Sequence, residues 1–233
     1  MKQPKRRKPP IVISLGGSLV VPDKIDSVFL KKFYSFIVAR VHTGDRFIII
    51  VGGGKTARHY QRAAREVTSL TDIDVDWLGI HSTRLNAHLL RTIFRKYAYL
   101  RLITRKQDIN PRIRKPIIIG SGFRPGSSTD YRAVQLAHAY GAKTILNLSN
   151  IDWVYTKDPR KYKSAKRINR MNWKEFRKMV GNTWDPGANV PFDPVASKWA
   201  QRWGIRVVIT RGSDMKNLKL IIEDKPARGT VIE

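Results

Sequence analysis

The chain has 233 residues, of which 42% are hydrophobic and none is cysteine, so it can bury a sizeable core but forms no disulfide or thiolate metal site. No apolar run approaches the roughly 20 residues of a membrane span, so we expect no membrane partner. The 45 Lys and Arg residues outnumber the 18 Asp and Glu residues, which gives a formal charge of +27 and favours anionic partners. Because this charge is spread along the chain, nucleic acid is a possible but not a favoured partner. Residues 1–10 form a basic extension without a signal-peptide pattern, and we expect a cytoplasmic protein.

The first two predicted strands each end in a glycine turn. The strand at residues 11–15 precedes Gly16, Gly17 and Ser18, and the buried strand at 47–51 precedes three consecutive glycines and a helix over 55–67. A strand, a glycine turn and a helix N-terminus together form an anion site, because free backbone amides face the turn. Each turn alone is equally well a plain βα turn, but two of them favour a shared phosphate cradle.

Neither turn matches a standard nucleotide motif. Gly54-Lys55-Thr56 resembles the end of a Walker P-loop, but Ile49 stands where that motif needs its first glycine. The glycines are also consecutive rather than spaced, which excludes the dinucleotide fingerprint.

The middle of the chain predicts a second group of polar residues. A helix capped by Asp26 runs to about residue 42, and another spans about 77–95. Asp76, near the start of the latter, is either an N-terminal cap or a carboxylate that binds sugar hydroxyls. Strands at 98–103 and 115–120 precede a loop over 121–130 and a helix over 131–140. That loop is either a phosphate site or an ordinary capped turn.

The C-terminal part predicts further alternation of strands and helices. A strand at 143–148 leads into a loop at 149–159, where ligands sit in α/β sheets. Asn172 and Asp193 each cap a helix, over 173–180 and 194–203. We predict an irregular surface segment at 160–171 and strands at 206–210, 218–222 and 230–232. The alternation predicts an α/β fold, a three-layer αβα sandwich with a mostly parallel central sheet.

Six stretches follow one another in a specific order along nearly the whole chain. They are Leu15-Gly16-Gly17-Ser18, the run from Val51 to Arg58, Asp76-Trp77-Leu78-Gly79-Ile80 with Thr83-Arg84-Leu85-Asn86-Ala87, Gly126 to Asp130, Ser149-Asn150-Ile151-Asp152 with Val154-Tyr155 and Asp158-Pro159, and Asp193-Pro194-Val195-Ala196 with Lys198. Together they resemble the amino acid kinase superfamily and, within it, the archaeal-type branch of the uridylate (UMP) kinases.

This resemblance implies transfer of the ATP γ-phosphate to UMP, with Mg²⁺ accompanying ATP. It also implies a homohexamer and a single domain over residues 11–233. In that domain, an N-terminal lobe at about 11–140 would bind UMP and a C-terminal lobe at about 141–233 would bind ATP.

The resemblance also implies a role for individual residues. The implied ATP site consists of Gly16, Gly17, Ser18, Gly54, Arg58, Ser149, Asn150, Tyr155 and Asp158. The implied UMP site consists of Gly53, Asp76, Phe123, Arg124, Pro125, Gly126, Ser127, Ser128 and Thr129. The candidate catalytic residues are Lys55, Arg58 and Asp193, and no residue is assigned as a metal ligand.

The chain departs from the family pattern at three places. Ser14 stands where many superfamily members have a phosphate-bridging lysine. Archaeal-type uridylate kinases also lack that lysine, and we hypothesise that Lys55 takes its role. Trp153 replaces a glycine, and Phe123-Arg124 replaces a more polar pair. Two alternatives follow: a sister-branch kinase of isopentenyl phosphate or another small acid, and an inactive basic protein that binds nucleotides or RNA.

Overall fold

A seven-stranded sheet forms the centre of the computed structural model, which describes residues 8–159, 161–183 and 190–233. Its strands are β1 (Ile11–Leu15), β2 (Phe47–Val51), β3 (Ile117–Gly120), β4 (Thr144–Ser149), β7 (Arg170–Met171), β8 (Arg206–Arg211) and β9 (Thr230–Ile232). Their order across the sheet is β3-β2-β1-β4-β8-β9-β7, with β8 and β9 antiparallel and every other pair parallel. The two-residue strands β5 (Val154–Tyr155) and β6 (Arg167–Ile168) form a separate antiparallel hairpin.

Eight α-helices surround the sheet in the described part of the chain. They are α1 (Gly17–Val20), α2 (Ser27–His42), α3 (Gly54–Val67), α4 (Asp72–Ile93), α5 (Thr129–Ala139), α6 (Trp173–Val180), α7 (Pro194–Arg202) and α8 (Met215–Ile222). A 3₁₀ turn at Lys106–Asp108 precedes β3. Within the described residues, no helix combines the length and apolar character needed to cross a bilayer.

The alternating side chains of the strands divide the core into two layers. On β2, Ile48 and Ile50 join one cluster, whereas Phe47, Ile49 and Val51 join the other. Helices α5, α6 and α7 cover the first face, and α2, α4 and α8 cover the second. Strands buried on both faces are continuous apolar runs, as seen here. The predicted three-layer αβα sandwich with a mostly parallel sheet is confirmed.

The prediction of a strand over residues 218–222 is wrong, because these residues belong to α8. The Asp214 carboxylate accepts a hydrogen bond from the Asn217 amide and so caps this helix. Leu218 and Ile221, three residues apart, both face the core. A short apolar run fits a strand or a buried helix equally well, and the cap four residues earlier decides between them.

Several boundaries shift by one or two residues, and three segments differ more. Residues 98–103 make only two isolated bridges to the β3 region instead of a full strand. Helix α4 begins at Asp72, about five residues earlier than predicted, because Thr71 and Asp74 form a capping box. The segment predicted as irregular at 160–171 contains both β6 and β7, and Arg160 within it lies outside the described residues.

Candidate active site

The two predicted glycine turns meet at one edge of the sheet, where the parallel strands end. Leu15 and Val51 are register partners at the ends of β1 and β2. A Cβ atom on Gly17 would lie 2.1 Å from the Gly54 nitrogen, so the two backbones pass too close for any side chain. Gly54 itself has a φ of +64°, a left-handed conformation that favours glycine. The two turns therefore form one continuous surface of backbone.

This surface presents unpaired amides and extends to β4. Gly17 and Ser18 open α1, where helix geometry leaves the first amides without a helical partner. The Gly16 amide donates a hydrogen bond to the Leu148 carbonyl oxygen at 2.8 Å, which ties the first turn to the end of β4. The turns after three adjacent strands therefore lie side by side, at the position where α/β sheets bind their ligands.

The two candidate cations on α3 lie at the margin of the glycine turns. The Lys55 Nζ atom is 3.0 Å from the Asp23 carboxylate, and this ion pair lowers the pKa of Asp23. Arg58 is exposed and lines a surface cavity with Arg62 and Arg65. Both cations follow the turn directly, but Lys55 has to exchange Asp23 for a phosphate before it can act as the hypothesised bridge.

A second group of residues fixes the loop at 121–128, which precedes α5. The Asp76 carboxylate accepts a hydrogen bond from the Gly126 amide at 2.7 Å. Thr83 Oγ1 accepts one from the Gly122 amide at 2.9 Å, and Arg84 donates one to the Phe123 carbonyl oxygen. All three of these side chains come from α4. Asp76 lies in the second turn of that helix, so it is not its N-cap, and its carboxylate faces the loop.

Two carboxylates, Asp130 on α5 and Asp193 at the start of α7, lie together between the two groups. Asp130 accepts hydrogen bonds from the Ser14 hydroxyl at 2.7 Å and from the Asn147 amide group at 3.2 Å. The Asp193 backbone amide donates to the other Asp130 oxygen at 3.3 Å. Burial, together with the charge of Asp193, raises the pKa of Asp130 to about 6, against these hydrogen bonds.

The two carboxylate oxygens of Asp193 have different surroundings. Its Oδ1 atom accepts the Ala196 amide and so caps α7. Its Oδ2 atom is buried and has no hydrogen-bond partner among the described residues. Burial raises the pKa of Asp193, and the hydrogen bond from the Ala196 amide, together with the nearby Ser128 hydroxyl, opposes that rise. A buried carboxylate oxygen without a partner is costly, so this atom is a candidate ligand contact.

The predicted donor residues follow β4. Ser149 ends that strand, Asn150 is exposed beside it, and Tyr155 lies in the hairpin. The hairpin is tied to the sheet by the Val154 amide, which donates to Thr230 at 2.8 Å. The Trp153 ring lies 5.2 Å from the Arg167 guanidinium, so the residue that replaces the usual glycine is held by a neighbouring cation.

Sequence reasoning missed several residues that build the site. Asp130 and Asn86 were recognised only as parts of motifs, and Asn147 was predicted only as part of a strand. The side-chain amide of Asn86, on α4, donates hydrogen bonds to the carbonyl oxygens of Gly52 and Gly53. It therefore fixes the backbone of the second glycine turn. Asn147 is a polar residue within the buried stretch of a strand, which is a signal that could have identified it, whereas Asp130 and Asn86 lie in helices with many other polar residues.

Comparison with known proteins agrees with this arrangement. The model of the "Amino acid kinase family" matches residues 9–211. Among curated relatives, uridylate kinases from Pyrococcus abyssi and Hyperthermus butylicus are each 36% identical, covering 96% and 92% of this chain and 99% and 94% of their own. The crystal structure of a uridylate kinase from Archaeoglobus fulgidus is 30% identical over 96% of this chain and all of that chain, with a TM-score of 0.82. The chain therefore belongs to the amino acid kinase family.

Proposed function

We propose that this protein transfers the γ-phosphate of ATP to UMP, which produces UDP and ADP. The observation that carries this proposal is the meeting of the two glycine turns, the α4-bound loop and the Asp130–Asp193 pair at one edge of the sheet. The relatives named uridylate kinase match nearly the full length of the chain, which supports the same reaction.

UMP is proposed to bind on the β3 side of this edge, in the N-terminal lobe. Asp76 would hold the ribose hydroxyls while its other oxygen keeps the Gly126 amide. Gly53 would contact the nucleotide, and Thr129, which opens α5 after the Ser128 cap, would lie near the phosphate. The rest of the loop is proposed to surround the nucleotide: Phe123, Arg124, Pro125, Gly126, Ser127 and Ser128.

ATP is proposed to bind on the β4 side, in the C-terminal lobe. Amides of Gly17, Ser18 and Gly54 would contact its phosphates, because these residues open two helices, and Gly16 would line the same turn. Ser149, Asn150, Tyr155 and Asp158 would surround the adenosine. Trp153 lies among these residues, so it would limit the space around the nucleotide rather than act in phosphate transfer.

Mg²⁺ is proposed to accompany ATP. Among the described residues there is no group of three or more acidic or imidazole side chains that could form a dedicated metal cage. Kinases hold Mg²⁺ through one or two carboxylates plus the phosphates, and the unpaired Oδ2 atom of Asp193 fits such a carboxylate. When bound, the ion would neutralise charge on the phosphates.

The chemistry requires positioning and charge neutralisation more than a base, because the acceptor is already a phosphate oxygen. Arg58 and Lys55 would offset the repulsion between the two polyanions. Asp193 would orient the amides at the start of α7 and the neighbouring Asp130. Removing one such preorganised group typically costs about 2.7–4 kcal/mol of transition-state stabilisation.

The test is a coupled assay for ADP release with ATP, Mg²⁺ and each nucleoside monophosphate in turn. We expect turnover with UMP well above that with CMP, AMP and GMP. Absence of turnover with all four, together with thermal stabilisation by ATP, would contradict UMP as acceptor and favour a small-acid or isopentenyl phosphate kinase. Absence of both, with RNA binding that falls steeply with salt, would favour the inactive binding protein. A homohexamer and a cytoplasmic location remain predictions.

A further inference from the structure

Arg132 is a buried cation beside the proposed UMP loop, and none of the roles described so far uses it. It lies in the first turns of α5 and is only 3% exposed. Burial, together with the nearby charge of Arg124, lowers the pKa of this guanidinium to about 10. Arginine is rarely buried without a paired charge, so the position needs an explanation.

The contacts of Arg132 are polar and aromatic but not anionic. Its two terminal nitrogens donate to Gln135 at 2.6 Å and to the Ser127 hydroxyl. Its guanidinium carbon lies 4.5 Å from the centre of the Phe123 ring and 5.3 Å from that of Tyr131. No carboxylate pairs with it in the described part of the chain, and its Nε atom has no hydrogen-bond partner there.

These contacts connect the guanidinium to both ends of the loop. Phe123 is the first residue of the proposed UMP loop and is itself buried in the core, so its ring supports Arg132 instead of facing solvent. Ser127, near the other end, donates its hydroxyl hydrogen to the Arg124 carbonyl oxygen. The loop therefore closes around a positive charge that the described residues leave uncompensated.

We propose that Arg132 is a specificity-determining positioning residue that holds this loop and favours a phosphorylated acceptor beside it. The inference rests on the proposed function and extends it. A buried cation attracts an anion more strongly than an exposed one, because solvent screens it less. A dianionic phosphate at the loop would supply the countercharge that the described residues do not provide. Phe123 and Ser127 would transmit the position of the guanidinium to the loop backbone.

The experiment compares Arg132→Met, which keeps much of the side-chain length but removes the charge, with Arg132→Lys. We use Arg95→Met as the matched control, because Arg95 is exposed beyond the end of α4 and far from the loop. Steady-state kinetics are measured with UMP varied at saturating ATP and Mg²⁺, and then with ATP varied at saturating UMP. Thermal unfolding is recorded for each variant.

We expect Arg132→Met to raise KM for UMP by about tenfold or more, because the positive charge of the guanidinium beside the acceptor loop is lost. KM for ATP should stay within about twofold of the wild-type value. Arg132→Lys should fall between the wild type and Arg132→Met, and the rise of KM for UMP with salt should be shallower in Arg132→Met. Arg95→Met should match the wild type.

Equal KM values for UMP in Arg132→Met and Arg95→Met would overturn the inference. An equal rise in both KM values with a lower Tm would also overturn it, because it indicates a general packing role. If Arg132→Met does not fold, Arg132→Lys decides: a selective rise in KM for UMP supports the inference and an unchanged KM refutes it. A wild-type protein inactive with UMP would refute the proposed function and, with it, this extension.

Discussion

The proposed acceptor and donor sides of the site are built differently. On the acceptor side, three side chains from α4 and one from α5 hold a single loop through direct hydrogen bonds. On the donor side, the surface consists of backbone turns that fit together because they lack side chains, next to a hairpin of two-residue strands. One side is held by polar contacts and the other by the close approach of glycine backbones.

This difference indicates where each side obtains its selectivity. Preorganised side chains lower the ordering cost of binding and can discriminate between similar ligands. Backbone amides recognise a phosphate without regard to the base attached to it. The acceptor side is therefore expected to distinguish nucleotides, while the donor side mainly holds a triphosphate. Substitutions between the two sides, and then on each side separately, test this difference.

The largest effect is expected from Asp193→Asn, which alters the group between the two sides. Asparagine caps helices as well as aspartate does, so α7 should remain intact while the negative charge is lost. We expect kcat to fall by about 10²–10³-fold, with Tm little changed. The measurement is kcat alongside thermal unfolding. Asp26→Asn, which alters the cap of α2 in the same way, is the control and should keep wild-type kcat.

Gly17→Ala should weaken ATP binding on the donor side and lower the stability of the protein. The added Cβ would meet backbone atoms of Gly52 and Gly54 at 2.6 and 2.1 Å, and backbone cannot move aside as a flexible side chain can. We expect KM for ATP to rise by more than about tenfold and stability to fall by at least about 1–3 kcal/mol. Gly79→Ala, where the Cβ would meet only the Gln61 side chain at 3.4 Å, is the control. A variant with normal ATP affinity would show that the turns do not form the donor site.

Asp76→Ala should weaken the acceptor side alone. It removes a charge-assisted hydrogen bond to the Gly126 amide, and such bonds contribute about 1.5–3 kcal/mol. We expect KM for UMP to rise about tenfold or more, with KM for ATP unchanged. Asp74→Ala lies on the same helix but removes its capping box, so it should lower Tm without affecting KM for UMP. Equal KM values for UMP in the two variants would contradict the assignment of Asp76.

The smallest effect concerns Asp130, whose pKa is about 6 in the folded protein against an ordinary value of 3.8. Because the folded pKa is raised, the stability that this group contributes is fully present below about pH 3.8 and is lost as the pH rises through about 6. Between pH 4 and pH 7 we expect wild type to lose about 1–3 kcal/mol relative to Asp130→Asn. Denaturant unfolding of both proteins across this range measures it, and parallel pH curves would contradict the raised pKa.

The sequence predicted those features that depend on neighbouring residues. The caps Asp26, Asn172 and Asp193 were predicted from local patterns and are present. The sequence also predicted that the two glycine turns meet, because neighbouring parallel strands end at the same edge of a sheet. By contrast, residues 218–222 were assigned to a strand because five apolar-rich residues fit either structure, and only the Asp214 cap and the fold resolve the choice.

The side-chain contacts of the site were less predictable because they join distant residues. Ser14 and Asp130 are 116 positions apart, and nothing near either residue indicates the other. The pairing of Lys55 with Asp23 likewise depends on how α3 leaves its turn. Local sequence thus predicted the backbone of the site, while tertiary packing determined which carboxylates meet within it.

Helix α3 carries Lys55 and Arg58 but has no buried residue along its 14 positions. It follows directly after β2, whose five residues are all buried. Local opening is easiest where few apolar contacts hold an element, so the amide hydrogens of α3 should exchange with solvent much faster than those of β2. The two cations are therefore carried by a helix that opens more easily than the strand before it, and bound phosphates should slow amide exchange along this helix.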